Sequence, residues 1–574
     1  MMQSVLIANR GAIVRRIIRT CRRLKIRTVA VYSEADAHAP FVREADAAVA
    51  LRGRTPRESY LDIARLMAAA QASGAEAVHP GYGFLSENPE FVEACLRAGL
   101  TFVGPAAAAM RQLGHKRSAK QLAEAHGVPT VPGLQLPADV SVAAAQAQAA
   151  ALGFPLLIKA AAGGGGKGMR RVDDLDRFAA AWEGAAREAA SAFGDPTLLV
   201  ERYVLRPRHI EIQVLGDQHG HVVHCGEREC SCQRRHQKIV EESPSPAVSP
   251  SLRAELGAAA VRLARAVDYT NAGTVEFLLA PDGQYYFLEM NTRLQVEHAV
   301  TEAVCGIDLV EWQLRIAAGE PLKIAQTDVQ QTGHAIECRI YAEDPTNDFL
   351  PATGRVTGLR EPTGPGVRLE SGLADGMEVS IDYDPMLAKL ITHAPTRAAA
   401  ITRMVTALQT YRIDGVRTNI DFLIDLVRSP DFLTGTVDTH YVERMLAQWP
   451  QVRAPRHDPF TPWQRYEGWR MGSAGKSAPS PFGEREGVRG RPAQRGRRRG
   501  PHGDLTAPMP GRIVKVHVVV GDAVVAGQVL VVMEAMKMEY SITAPEVGAV
   551  KAVRCTVGEL VERGAHLVEI TGAV

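Results

Sequence analysis

The sequence predicts a multidomain α/β and α+β chain closed by an all-β module, and three observations carry that prediction. A length of 574 residues exceeds what one hydrophobic core serves. Short apolar runs alternate with helix-length segments near the N-terminus, and the C-terminal segment repeats itself.

Residues 3–8 (QSVLIA), 28–33 (TVAVYS), 76–79 (EAVH) and 101–104 (TFVG) read as short buried strands, separated by helical segments such as 12–24 and 60–72. That alternation predicts βαβ units and a parallel sheet. A second α/β region runs from about 114 to 325, and HAIECRIYAED at 334 opens a third, rich in strands and turns, that ends near 447. From about 452 to 503 the chain is loaded with Gly, Pro, Ser and Arg and has no apolar periodicity, which predicts a flexible linker.

The last segment is an internal repeat. APMPGRIVKVHVVVGDAVVAGQVLVVME from Ala507 overlays APEVGAVKAVRCTVGELVERGAHLVEI from Ala544 with a constant offset of 37. Pro508 matches Pro545, Gly521 matches Gly558, Gly527 matches Gly564 and Leu530 matches Leu567. Two copies of one β unit predict a quasi-twofold β domain with glycines where turns need positive φ. Lys537, in EAMKME, falls in the short join between the copies, which predicts a surface hairpin presenting the lysine while Met536 and Met538 pack or contact a partner.

Composition excludes several classes. With 46% hydrophobic residues, 23% charged residues and a formal net charge of +2, neither nucleic acid nor membrane is an expected partner. No run of about 18 apolar residues occurs and the N-terminus lacks signal-peptide character, so a cytoplasmic location is expected. The eight cysteines are scattered, against a disulfide framework. His219, His221, His224, Cys225, Cys230 and Cys232 cluster, but C-x₄-C-x-C is not a usual zinc spacing. The arginines of RGRPAQRGRRRG lack the interleaved aromatics of a nucleic-acid site.

The loop AAAGGGGKGMRRV follows the strand PLLIKA and places four glycines where side chains would block backbone approach to phosphates. It is not a Walker A loop, because no Gly-Lys-Ser/Thr ends it. Lys159 before the glycines and Lys116 in GHKRSAK are cations suited to polyphosphate. Farther on, Glu276 in GTVEFLL and Glu289 with Asn291 in YYFLEMNTRLQVEH form a candidate Mg²⁺ set on adjacent strands.

These features resemble a known family. EAMKME, with APMPG upstream and ITAP downstream, resembles the biotinyl carrier domain of biotin-dependent carboxylases, whose lysine in this context receives biotin. Over residues 3–447 the motifs ANRG, HPGYGFLSEN, GHKRSA, GGGGKGM, PRHIEIQV, CSCQRRHQK, EMNTRLQVEH, ECRIYAEDP and YDPMLAKL occur in the order of biotin carboxylase, a member of the ATP-grasp superfamily. The resemblance implies a Rossmann-like N-terminal domain (1–113), an ATP-grasp domain (114–325), a biotin carboxylase C-terminal domain (334–447), a linker (452–503) and a flattened β-barrel biotinyl domain (505–572).

It also implies roles. Lys116 and Lys159 hold phosphates, and Gly163, Gly164, Gly165 and Gly166 with Met169 close over them. Glu201 and Val204 line the adenine pocket, and His209, Gln233 and His236 complete the nucleoside contacts. Glu276, Glu289 and Asn291 hold Mg²⁺ or Mn²⁺. Lys238, Arg293, Gln295, Val296 and Glu297 bind bicarbonate, with Glu297 as general base and Arg339 near the biotin ring. Implied cofactors are ATP, the metal and biotin on Lys537; implied partners are a biotin protein ligase, a second copy through the carboxylase part and a separate carboxyltransferase β subunit.

The sequence departs from the pattern at Ala12, where Glu is common, at Arg202, where Lys is usual, and in the linker. DPFTPWQRYEGWRMG, with Trp463 and Trp469, looks like the start of a partner-docking domain broken off into low-complexity sequence. Acetyl-, propionyl- and methylcrotonyl-CoA remain open as acceptors, and single-chain pyruvate carboxylase is excluded by length. The alternatives are a biotinylated scaffold without ATP chemistry and a non-biotin ATP-grasp ligase.

Overall fold

The computed structural model describes residues 2–136, 140–161, 169–193, 195–449, 504–536 and 538–572. The predicted linker, the glycines of the loop and Lys537 therefore lie outside the described residues.

The N-terminal strands form a five-stranded parallel sheet in the order Ala47–Ala50, Arg27–Tyr32, Ser4–Ile7, Ala77–His79, Thr101–Phe102. Helix Ala12–Leu24 buries Ile13, Val14, Ile17, Ile18 and Cys21, the three-and-four spacing of one helix face, and ends at Lys25 in the left-handed conformation. Strand Ala47–Ala50 is an addition to the predicted set: an edge strand of alternating half-buried and exposed small residues leaves little apolar signal.

An eight-stranded sheet forms the centre, ordered Tyr285–Asn291, Asn271–Leu279, Arg208–Gly216, Val222–Arg234, Gln237–Ser243, His334–Tyr341, Met386–Ala394, Val367–Ser371. It runs without a break through the second and third regions read from the sequence, because Gln237–Ser243 pairs with His334–Tyr341, Val240 opposite Cys338. A smaller four-stranded sheet joins Gly133–Gln135, Leu198–Arg202, Leu156–Ala160 and Arg170–Val172.

The C-terminal repeat folds into two four-stranded sheets that exchange under its offset: Gly511–Val516 corresponds to Gly548–Val553, Ala523–Val524 to Leu560–Val561, and Val529–Ala535 to His566–Gly572. Their shared core holds the matched residues Ile513 and Val550, Leu530 and Leu567, and Met533 and Ile570. Each such side chain contributes roughly 1.5–3 kcal/mol on burial. Gly521 and Gly558, at φ 98 and 91, occupy equivalent turns that a side chain would strain.

Strands Val529–Ala535 and Met538–Thr543 pair up to Ala535 opposite Met538, so a two-residue join carries the tip. Met536 does pack, but away from its own domain. It is 1% exposed and belongs to the core built on His334–Tyr341 and Met386–Ala394, and its amide donates to the Ile381 carbonyl at 3.0 Å. Conversely, Leu350 of the central body packs into the core of the repeat domain. Among the described residues no helix is long and apolar enough to cross a membrane.

Candidate active site

Strand pairing aligns Glu289 with Glu276, Glu276 with Glu211, and Glu211 with Arg228, one row across four strands of the central sheet. Alternation sends Val275 and Phe277 to the opposite face, into the apolar core. Three carboxylates side by side oppose folding unless cations compensate them. Lys238, on the next strand but one from Glu211, does so: its Nζ lies 2.5 Å from Glu211, 2.8 Å from Glu276 and 2.8 Å from Glu297. Arg228, fully buried, donates to Glu211 from the other side and to Gln213, Thr274, Thr301 and Gln295.

A cavity of about 720 Å³ opens over this row, roofed by N-terminal residues that include Asn9, Ala12 and Tyr82. Of the residues expected on sequence grounds, Lys116, Met169, His209, Gln233, His236, Glu276, Glu289, Asn291, Lys238, Arg293, Gln295, Val296, Glu297 and Arg339 line it. Lys159, Glu201 and Val204 are not in its wall: the first two sit on the smaller sheet and Val204 follows it. There Lys159 Nζ lies 2.5 Å from Glu201 and Lys120 Nζ 3.0 Å from the same carboxylate. Gly163, Gly164, Gly165, Gly166 and Lys537 fall outside the described residues.

Around Glu297 and Glu276 the wall is a lattice of charge-assisted hydrogen bonds. Arg339 donates to Glu241 at 2.5 Å and to Glu297 at 3.0 Å. Arg293 donates to Glu87 at 2.8 Å and to Asn291 Oδ1 at 2.9 Å, while Asn291 Nδ2 and Gln295 Nε2 donate to Glu276 at 2.9 and 2.7 Å. Lys389, fully buried, donates to the Val296 carbonyl and so fixes the segment leading into helix His298–Cys305. His209 Nδ1 meets Gln233 Nε2 at 3.0 Å.

Burial acts on all of these groups and the neighbours decide the outcome. Burial would raise the Glu297 carboxyl, but Lys238, Arg339 and Arg228 outweigh it and hold it well below the usual carboxylate range. Glu276 is likewise held low against burial by Lys238 and His209. Burial lowers an amine, yet Glu211, Glu276 and Glu297 keep the Lys238 ammonium far above its ordinary value. Glu289 goes the other way, raised by burial and by the charge of Glu276. Glu241 is raised by burial to about 7 despite Arg339.

The row of acids on apolar strands was signalled only indirectly. Glu211 in HIEIQV, Arg228 in CGERECS and Glu241 in IVEES are charges inside apolar runs, and a charge there must have a partner. Glu87, Lys120 and Lys389 were missed with them. His219 and His221 face the carbonyls of Gly319 and Ile324 at 3.2 and 2.9 Å, and Cys230 groups with Glu211 and Glu297 rather than with the other cysteines of the segment. Ala12 lines the cavity, and Arg202 reaches Tyr286 Oη at 3.4 Å.

Four family profiles match the chain in order: "Biotin carboxylase, N-terminal domain" over residues 1–110, "Carbamoyl-phosphate synthase L chain, ATP binding domain" over 115–325, "Biotin carboxylase C-terminal domain" over 337–444 and "Biotin-requiring enzyme" over 503–570. A pyruvate carboxylase subunit of Methanothermobacter thermautotrophicus is 49% identical over 77% of this chain and 90% of its own length. The chain belongs to the biotin carboxylase family. The α subunit of Arabidopsis thaliana mitochondrial methylcrotonoyl-CoA carboxylase is 50% identical over 77% of this chain, and the match spans 60% of the plant protein. A crystal structure of a Campylobacter jejuni biotin carboxylase–β,γ-ATP complex superimposes with a TM-score of 0.74 at 44% identity, covering 77% of this chain and 99% of that one.

The carboxylase's own residues fit the groups that the family uses. Glu276 and Glu289 are hard oxygen donors side by side, and the raised Glu289 carboxyl is what a divalent cation would relieve, which suits Mg²⁺. Asn291 can join them by giving up its bond from Arg293. Two ammonium groups around one carboxylate at Glu201 leave positive charge for polyphosphate.

Proposed function

We propose that the chain carboxylates biotin carried on Lys537, using ATP and bicarbonate, as the α subunit of an acyl-CoA or 2-oxoacid carboxylase whose carboxyltransferase is a separate chain. The observation that carries this reading is the convergence of Lys238, Arg293, Gln295, Val296, Glu297 and Arg339 on the wall of the same cavity that Glu276, Glu289 and Lys116 line.

Bound ATP with Mg²⁺ supplies the phosphoryl group that makes bicarbonate electrophilic, and biotin supplies the ureido nitrogen that accepts the carboxyl. The chain's residues do the rest. Arg293, Gln295 and the Val296 backbone orient bicarbonate, with Arg293 braced by Glu87 and the Val296 carbonyl by Lys389. Glu297, ionised and anchored by Lys238 and Arg339, accepts the bicarbonate proton; its low intrinsic basicity rises once those cations turn to the incoming anion. Arg339 and Arg293 stabilise negative charge developing on the biotin oxygen. Lys116, Lys159 and the segment Gly163–Gly166 with Met169 hold the phosphates, while His209, Gln233, His236, Glu201 and Val204 take the nucleoside.

The units that perform these roles are residues 1–113, 114–325, 334–447 and 505–572, tethered by 452–503. The acceptor follows the partner chain: the relatives named above act on methylcrotonoyl-CoA and pyruvate, which widens the range beyond acyl-CoA. A biotin ligase must load Lys537, pairing of two copies through the carboxylase part is expected, and the cytoplasm is the expected compartment. Intact mass after co-expression with a biotin ligase should show one biotin, and the loaded chain should release ADP only when bicarbonate is present. Unmodified Lys537 together with bicarbonate-independent ADP release overturns the reading.

A further inference from the structure

The contact between the repeat domain and the carboxylase body is an exchange. Met536 enters the apolar core beside His334–Tyr341 and Met386–Ala394, and Leu350 of the body enters the core of the repeat domain; each is nearly sealed from solvent, at 1% and 7%. The Met536 amide adds a hydrogen bond to the Ile381 carbonyl at 3.0 Å.

The receiving segment is fixed before the tip arrives. Asp382, next to Ile381, accepts from Arg54 at 2.9 Å. The Tyr383 hydroxyl donates to the Arg54 carbonyl at 2.8 Å and meets the Ser33 hydroxyl at 2.7 Å, and the ring carries the Arg10 guanidinium 4.0 Å above it. Tyr383, Asp384 and Met386 then line the cavity, so the socket and the chemistry share one rim.

Met536 also breaks a local rule. It adopts φ 50 at a two-residue hairpin join, where left-handed backbone favours Asn or Gly and costs other residues on the order of 1 kcal/mol. A side chain kept there against backbone preference is there for a contact, and methionine's unbranched thioether suits a socket it must enter and leave.

We propose that Met536 and Leu350 form a reciprocal apolar latch that seats the carrier tip on the carboxylase, with Ile381 as the backbone anchor. The latch holds Met536 against the segment that leads to the cavity rim, one residue before the biotin-bearing Lys537 of the proposed function on which this inference rests. It acts on the carrier alone. Free biotin reaches the same cavity without it.

The test uses the full-length chain loaded with biotin, its occupancy verified by mass. Two rates are compared: labelled-bicarbonate transfer to the carrier, and ADP release stimulated by free biotin. Met536→Ala should slow carrier carboxylation about tenfold or more, the effect of losing one well-buried apolar side chain, and leave the free-biotin rate unchanged. Met536→Leu should restore the carrier rate to within about twofold. Leu350→Ser, on the other side of the contact, should reproduce the selective loss. A carrier rate at wild-type level in Met536→Ala, or equal losses with carrier and free biotin, overturns the latch. Amide hydrogen exchange supplies a readout independent of activity: in Met536→Ala the segment around Leu350 should lose protection, and unchanged protection there also overturns it. A wild-type chain inactive with both forms of biotin would refute the proposed function, while the exchange result would still decide the latch.

Discussion

Two regions of the protein compensate buried carboxylates in different ways, and the difference bears on the ligand proposed for each. Around Glu201 two ammonium groups, Lys159 and Lys120, share one carboxylate, whose pKa they lower although burial would raise it. Around Lys238 one ammonium is shared by three carboxylates, with Glu289 a fourth alongside. Glu201, Glu211, Glu276 and Glu297 are buried and Lys120, Lys159, Lys238 and Glu289 partly so, and there charge is screened less than in water. The first has surplus positive charge for a polyphosphate. In the second, Arg228 and Arg339 join Lys238 against Glu211, Glu276 and Glu297, so the uncompensated charge is that of Glu289, the carboxylate proposed with Glu276 to hold a divalent cation. A protein built only for stability would balance each cluster internally.

The largest effect should come from removing the one ammonium of the acidic cluster. Lys238→Gln leaves Glu211, Glu276 and Glu297 facing one another, and about 3–5 kcal/mol of folding stability should go with it, as for one partner removed from a buried pair. Bicarbonate-dependent ADP release should fall about 10²–10³-fold, the usual scale for one lost charge-stabilising group. Thermal unfolding with and without Mg²⁺ sharpens the point: the cation should raise the melting temperature of the variant more than that of the wild type. An unchanged melting temperature would break the comparison.

The opposite cluster predicts a smaller, differently placed effect. Lys159→Gln leaves Glu201 balanced by Lys120 alone and cancels the positive surplus. One charge-assisted hydrogen bond is worth about 1.5–3 kcal/mol, so the KM for ATP should rise roughly 10–100-fold. Because the pair is not in the wall of the cavity proposed to take bicarbonate, the KM for bicarbonate should stay within about twofold. Equal shifts in both would mean that the two clusters do not act separately.

The chemistry-bearing residues were legible where they sit in motifs: Lys116, Lys238, Glu276, Glu289, Arg293 and Arg339 all line the one cavity. The residues that hold them were not. Glu211 and Arg228 become neighbours of Lys238 and Glu276 only through strand register, which depends on pairings between strands distant in sequence. The same limit hid the continuity of the central sheet through Gln237–Ser243 and His334–Tyr341. The repeat domain, by contrast, was readable almost strand by strand, because its matched glycines and apolar residues report on one another within a short stretch. Its one unforeseen feature is Met536, whose core belongs to another domain.

The smallest predicted effect lies behind Arg339 and links the acidic cluster to pH. Glu241 pairs with Arg339 through one oxygen, its other oxygen has no hydrogen-bond partner, and it stands opposite Glu337 in the sheet, with Lys238, Glu297 and Lys389 as the remaining charges nearby. Burial, together with the Glu297 charge, lifts it from the ordinary carboxylate range to about 7, against the pull of Arg339 and Lys238. A carboxyl whose pKa is higher folded than unfolded binds more protons when folded. Its stabilisation is complete below about pH 4.5 and is lost as pH rises to about 7. Glu297 and Glu276, held low, act in the opposite sense and only in more acidic solution. In Glu241→Gln the decline in unfolding free energy between pH 5 and 7, followed by denaturant titration, should therefore be shallower than in the wild type, by on the order of 3 kcal/mol or less across the window. Parallel curves would show that Glu241 stays ionised throughout, and that Arg339 is balanced more fully than Glu241's single bond to it implies.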